Sequence, residues 1–127
     1  MKNIAVIAFF LVFFHLISCA QTPKNNMNKK CLAVVKKKIG ENFSENKSED
    51  GNFTLYFSQT QGTAQQPQTM LYYVVLKNKD CALVKEGEIF NGKIYWINAK
   101  TLEYYTIPGM MKRDENLDDL KKQIVIE

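Results

Sequence analysis

The stretch MLYYVVLKNKDCALVKEGEIFNGKIYWINAKTLEYYTI, residues 70–107, decides the fold. It opens on a β-branched and aromatic run, Met70 to Lys77, in which Leu71, Tyr72, Tyr73, Val74, Val75 and Leu76 follow one another. Side chains of this kind suit a pleated, half-buried surface, so the run reads as a strand. Asn78-Lys79-Asp80 supplies turn chemistry, and Cys81 to Phe90 returns the chain, with Gly87 as a candidate bulge. Asn91-Gly92 then stands between two strand-like runs. Both residues tolerate positive φ, so the pair predicts a type I′ hairpin. Lys93 to Asn98 is the next strand, Ala99-Lys100 a second tight turn, and Leu102 to Ile107 a further strand that Pro108-Gly109 ends.

Upstream of this meander, Phe53, Leu55 and Phe57 alternate with Thr54, Tyr56 and Ser58, the period-two pattern of one more strand. A Gln-rich loop containing Gly62 and Pro67 separates it from Met70. Glu41 to Asn52, rich in Asn, Ser and Glu, reads as loop. Before it, Cys31, Leu32, Val34, Val35 and Ile39 share one helical face with lysines on the other, and Gly40 is a stop, predicting a helix from about Asn28 to Ile39. Downstream, Leu117, Leu120 and Ile124 fall at helical spacing over Asn116 to Gln123. Asp118 and Asp119 lie early and Lys121 and Lys122 late, the order that suits a helix dipole, so a short C-terminal helix is expected. The expected fold is therefore α+β: an N-terminal helix packed on an antiparallel meander of about five strands, with a short C-terminal helix. No internal repeat of solenoid period is present.

The N-terminus has a different character. Lys2 precedes an apolar run from Ile4 to Ile17, the charged region and apolar core of an export signal. The run falls short of the about 20 apolar residues that a membrane-spanning helix needs. It ends in Leu16-Ile17-Ser18-Cys19. This segment resembles the lipobox of bacterial lipoproteins: an aliphatic residue, a tolerant position, a small residue, then cysteine. His15, a polar residue late in the apolar core, is the one departure. The resemblance covers the signal and cleavage site alone. It implies cleavage before Cys19, a diacylglycerol thioether on the Cys19 sulfur, and usually acylation of the new amino group. Several acyl chains make a stable anchor where one is marginal. The resemblance further implies a cell-envelope location. Ala20 stands where an Asp would favour inner-membrane retention, which points to the outer membrane. The organisation that follows is signal 1–18, lipidated tether 19–27 and one α+β domain 28–127. Gln21 to Asn28, polar and containing Pro23, forms the tether.

With Cys19 committed to lipid, Cys31 and Cys81 remain as an even pair in an oxidising compartment, and a disulfide between them is expected. Their spacing is unlike the Cys-x-x-Cys of redox-active pairs. The formal charge of +4 comes almost wholly from Lys, with Arg113 the one arginine. Nucleic-acid recognition favours bidentate Arg contacts, so nucleic acid is not an expected partner.

Catalytic chemistry has little to work with. The one histidine, His15, lies in the signal, which removes Ser-His and Cys-His sites and most zinc sites from the folded domain. No phosphate-binding Gly-rich loop occurs, and no cofactor is expected. The domain is therefore read as no enzyme. A carboxylate mechanism would need acids such as Glu86, Glu88 and Glu103 to converge. Asn46, Ser48, Asp50 and Gly51 match early positions of an EF-hand-like calcium loop, but Phe57 stands where its closing Glu belongs. The sequon matches at Asn42, Asn46 and Asn52 read as coincidences of an Asn-rich loop. Lys29, Lys30, Lys36, Lys37 and Lys38 give the first helix a basic side, either a solvated face or one that meets an anionic membrane.

The aromatics carry the functional expectation. Tyr72-Tyr73, Tyr95-Trp96 and Tyr104-Tyr105 are adjacent pairs on three strands, and neighbouring strand residues point to opposite faces. Each pair therefore puts one ring on each side of its sheet. A two-residue turn at Ala99-Lys100 would set Tyr95 opposite Tyr104 and Trp96 opposite Glu103. One side packs on the helix. The other either displays its rings to a partner or is covered by the domain's own loops and C-terminal helix. The expected function is a lipid-anchored module that engages an envelope protein through this face. A small-molecule or glycan binder using the same rings is the alternative, and an enzyme ranks third.

Overall fold

A computed structural model of the chain describes residues 22–110 and 113–127. The export signal, the lipobox and Cys19 lie outside the described residues. Helix α1 (Thr22–Ile39) starts earlier than the sequence pattern suggests, so the segment assigned to the tether is helical from Thr22 on. Pro23 sits in the first turn, where its missing N–H leaves no helical bond unmade. Residues 24–30 hold neither Gly nor a β-branched side chain, and Lys24, Met27, Lys29 and Lys30 are good helix formers that offset the weak preference of Asn25, Asn26 and Asn28. The helix ends at Gly40, whose φ of +89° is the left-handed geometry of a C-terminal cap. Its N–H donates to the Lys36 carbonyl at 3.1 Å.

Four strands follow in one antiparallel sheet, ordered as in the chain: β1 (Ser44–Lys47), β2 (Phe53–Gln59), β3 (Met70–Lys77) and β4 (Leu83–Phe90). Strand β1 is a correction to the sequence reading, which made 41–52 all loop. Its residues are all exposed and polar, so no hydrophobic alternation marks it. Backbone pairing to β2 and the turn that joins them define it instead. In that turn the Ser48 N–H donates to the Phe53 carbonyl at 2.9 Å, and Gly51 takes φ +72°. The bulge in β4 also falls elsewhere than expected. Val75 pairs with Lys85 and Leu76 with Leu83, so Val84 is the extra residue. Gly87 is instead the floor for the Tyr73 ring: a Cβ there would lie 2.8 Å from the Tyr73 hydroxyl.

The single five-stranded meander is replaced by two sheets. Asn91-Gly92 makes no hairpin, because β4 and the strand after it belong to different sheets. Asn91 is left-handed at φ +47°, but Gly92 is not among the positive-φ residues, and a type I′ turn needs both. A single left-handed residue turns the chain into a corner. The Asn91 N–H donates to the Thr69 carbonyl, its carbonyl accepts from the Ile107 N–H, and its side-chain amide donates to the Ile107 carbonyl, each at 2.7 Å. Gly92 is required for space: a Cβ would lie 2.0 Å from the Tyr105 carbonyl oxygen. Beyond the corner, β5 (Gly92–Asn98), β6 (Thr101–Thr106) and β7 (Lys121–Val125) form a three-stranded antiparallel sheet, again in chain order.

Strand β7 takes the place of the expected C-terminal helix. Only Leu117–Leu120 turns, as a short 3-10 segment whose Asn116 cap accepts the Asp118 N–H at 3.2 Å. The closing residues Ile124, Val125 and Ile126 are β-branched and favour extended backbone. The free edge of β6 offers them a ladder, with Thr101 opposite Val125 and Tyr105 opposite Lys121. Ile126 just past the strand is almost wholly buried, and its N–H donates to the Lys100 carbonyl at 2.7 Å.

Three layers result: helix, first sheet, second sheet. On one side of the first sheet Tyr56, Val74 and Leu76 pack with Cys31, Val35 and Cys81, joined by the partly buried Val34, Ile39 and Phe43. On the other side Phe53, Leu55, Leu71, Tyr73, Val75 and Ile89 meet Ile94, Leu102 and Ile126 of the second sheet. The central strands β2 and β3 are therefore covered on both faces, which is why Met70 to Lys77 reads as a continuous apolar run. Cys31 and Cys81 are disulfide-bonded, with Cα atoms 5.0 Å apart. The bond ties α1 to the turn entering β4, where Cys81 holds φ +59°. The class is α+β.

Candidate functional site

Register decides where the aromatic pairs point. Ala99-Lys100 is a two-residue turn, since Asn98 pairs with Thr101. Next to it Ile97 is bulged out, and the ladder resumes with Trp96 opposite Leu102, Tyr95 opposite Glu103 and Ile94 opposite Tyr104. The sequence had set Tyr95 against Tyr104 and Trp96 against Glu103. One extra residue in β5 moves every partner by one place.

The six aromatic side chains separate into three environments. Tyr73, Trp96 and Tyr104 turn inward, between the sheets. The Trp96 and Phe53 rings lie 6.4 Å apart, and the Trp96 indole N–H donates to the Asn46 carbonyl at 3.0 Å, tying the second sheet to the edge strand β1. Desolvation, with Tyr104 as the lesser cause, pushes the Tyr73 hydroxyl pKa up. Tyr72 lies on the helix side of the first sheet and is exposed. With Ile39, Glu88 and the Lys38–Glu86 ion pair (3.0 Å) it borders a shallow cavity of about 210 Å³. Tyr95 and Tyr105 come together on the outer face of the second sheet, their rings edge-to-face at 6.5 Å and 67°.

That outer face is a small ordered patch. Cross-strand pairing aligns Lys93 with Tyr105, Tyr95 with Glu103, Glu103 with Gln123 and Tyr105 with Lys121. The Tyr95 hydroxyl donates to a Glu103 carboxylate oxygen. That hydrogen bond is the first cause of the raised Tyr95 pKa. Lys121 Nζ lies 2.6 Å from an Asp118 oxygen and 3.9 Å from Glu103, and the Asp118 contact leads in raising the Lys121 pKa. Val125 at the edge strand is 66 % exposed. Lys121 and Val125 were absent from the sequence reading of the face, because helical spacing hid a strand; the run Ile124-Val125-Ile126 was the signal available.

The acids do not converge. Glu86 and Glu88 lie on the helix side of the first sheet, opposite Val74 and Tyr72, whereas Glu103 lies on the second. In the calcium-like loop the Asp50 carboxylate serves the β1–β2 turn. It accepts from the Ser48 hydroxyl at 2.8 Å and from the Asn52 N–H and amide at 3.0 and 2.7 Å, and these bonds, led by the Asn52 N–H, lower its pKa. Among the described residues no group of three His, Cys, Asp or Glu is placed to hold a metal ion. Among the same residues no helix is long and apolar enough to cross a membrane. Compared with known protein families, curated proteins and solved structures, the chain matches none.

Proposed function

We propose that this chain is a lipid-anchored protein of the cell envelope, attached to the outer membrane through Cys19, whose folded domain engages an envelope protein. The surface assigned to that partner is the outer face of the second sheet, centred on Tyr95 and Tyr105. One observation carries the assignment: two partly exposed tyrosines pack edge-to-face on the outer face of the second sheet, the Tyr95 hydroxyl is held by Glu103, and the exposed Val125 lies further along the same face on the edge strand. Rigid amphipathic rings on a fixed surface give large contact area at small entropic cost. The reading involves no cofactor, no nucleic acid and no catalytic step. The anchor is supported by the Leu16-Ile17-Ser18-Cys19 segment after its apolar run.

The test uses the full chain in detergent as bait for solubilised envelope extract, beside a Tyr95→Ala/Tyr105→Ala variant checked for folding by circular dichroism. A protein retained by the parent and lost by the variant supports the reading. Equal retention by both removes this face from consideration. A second reading, a small-molecule or glycan binder, draws on the exposed Tyr72 ring beside its cavity. It requires saturable ligand binding that Tyr72→Ala abolishes and Tyr95→Ala leaves intact.

A further inference from the structure

Helix α1 has an unusual charge distribution. Its residues Thr22–Ile39 include six lysines and no acidic residue, whereas residues 40–127 carry ten basic and thirteen acidic side chains. The net positive charge of the folded chain therefore resides on this one element, since the rest carries more acidic than basic side chains. The helix lies on the first sheet through Cys31 and Val35, both buried, with Val34 and Ile39 beside them. At 100° per residue, Lys29, Lys30, Lys36 and Lys37 surround the exposed Ala33 on the side away from the sheet. Each is exposed. Lys38 faces the sheet and pairs with Glu86. The outward four form two pairs seven residues apart, about 10 Å along the axis, with no carboxylate on their own helix to neutralise them.

Position adds to charge. The apolar run ends at Ile17, with Cys19 at position 19 and the helix starting at Thr22. Three Cα steps of about 3.8 Å separate Cys19 from Thr22, so an anchor at Cys19 holds the helix start within about 11 Å of the bilayer attachment point. We infer that the lysine face of α1 lies against an anionic bilayer surface, with the helix parallel to the membrane. The occupant is anionic phospholipid headgroup, selected by charge and by proximity to the anchor. Each lysine near such a surface strengthens the attraction about five-fold, and the attraction fades over a Debye length of about 8 Å at physiological salt. The layer order then fixes the direction of display. With the helix against the membrane, the first sheet is in the middle, and the Tyr95–Tyr105 face looks away from the bilayer. The inference deepens the anchored-module reading and rests on its anchor.

The full chain, purified from membranes of the expression host, is reconstituted in phosphatidylcholine vesicles with or without phosphatidylglycerol. Exposed lysines are acetylated under single-hit conditions and quantified by mass spectrometry, with Lys93 on the opposite face as internal reference. Lys29, Lys30, Lys36 and Lys37 are expected to lose reactivity several-fold relative to Lys93 in the phosphatidylglycerol vesicles alone, and to regain it in high salt. Equal relative reactivity in both vesicle types overturns the inference, as does protection that ignores salt. Flotation separates the two ideas. Chain that fails to float with neutral vesicles counts against the lipid anchor, whereas chain that floats but shows no anionic-lipid protection counts against the helix face alone.

Discussion

The two cores on either side of the first sheet are built by different means. The inter-sheet core joins aliphatic and aromatic side chains from six strands, with Leu55, Val75 and Leu102 fully buried, and among the described residues no disulfide links the two sheets. The helix-side core is smaller. Among the residues of α1 whose burial is described, 28–39, only Cys31 and Val35 are buried, and the Cys31–Cys81 bond holds the helix in place. A single helix face with so few buried side chains removes little apolar surface from water, so the covalent link supplies what burial there does not. The comparison teaches that the helix is a covalently attached layer on a sandwich that packs by itself.

The largest effect expected is on the link. Cys31→Ala/Cys81→Ala opens a loop with a sequence separation of 50 and, by chain entropy, should lower stability by about 4 kcal/mol. Chemical denaturation of parent and variant measures this, and amide exchange locates it. Loss of protection in α1 ahead of the sheets would sharpen the distinction between the cores, and simultaneous loss everywhere would erase it. Next comes Leu102→Ala. Its side chain is fully buried between the sheets, and the truncation should cost about 3 kcal/mol. Here the second sheet should lose protection while the disulfide-tied helix keeps its own.

The corner between the sheets is the third point of attack. Asn91→Ala removes the amide bond to Ile107 and puts alanine at a left-handed position, at an expected cost of about 1–2 kcal/mol read from the thermal midpoint. The smallest effect belongs to the outer face. Tyr95→Phe should change stability by under about 1 kcal/mol, because the bond it removes is half exposed. Its signature is spectroscopic. The Tyr95 hydroxyl is held above the ordinary tyrosine value near 10, so its hydrogen bond contributes fully below pH about 10 and is lost as pH rises through the higher folded value. Alkaline absorbance titration of Glu103→Gln should bring one tyrosine down in pH, and an unchanged titration would show that Glu103 does not hold Tyr95.

The class, β2, the strand Met70–Lys77 and the Cys31–Cys81 pair were legible because each rests on local chemistry: β-branched runs, period-two alternation and an even cysteine count. The division into two sheets was not legible. Asn91-Gly92 has hairpin composition, and what prevents a hairpin is tertiary: Thr69 and Ile107 claim the Asn91 backbone, and the Tyr105 carbonyl occupies the space beside Gly92. Strand β7 was hidden because Leu117, Leu120 and Ile124 fit helical spacing, while the edge of β6 that captures the segment is invisible to a local pattern. The candidate face was half legible. Opposite facing within each aromatic pair follows from strand geometry, yet the bulge at Ile97 that sets the register, and the division of Tyr72 from Tyr95 and Tyr105 between separate sheets, arise only on folding.

The most direct test of the oriented, anchored module places a photo-crosslinking amino acid at Ala33 on the helix or at Tyr105 on the outer sheet, in the full chain in native membranes. Both positions can be read in one gel and lipid analysis. The orientation proposed here requires lipid adducts from position 33 and a discrete protein adduct from position 105. Protein adducts from position 33 with lipid adducts from position 105, or no membrane-dependent adduct from either, would contradict it.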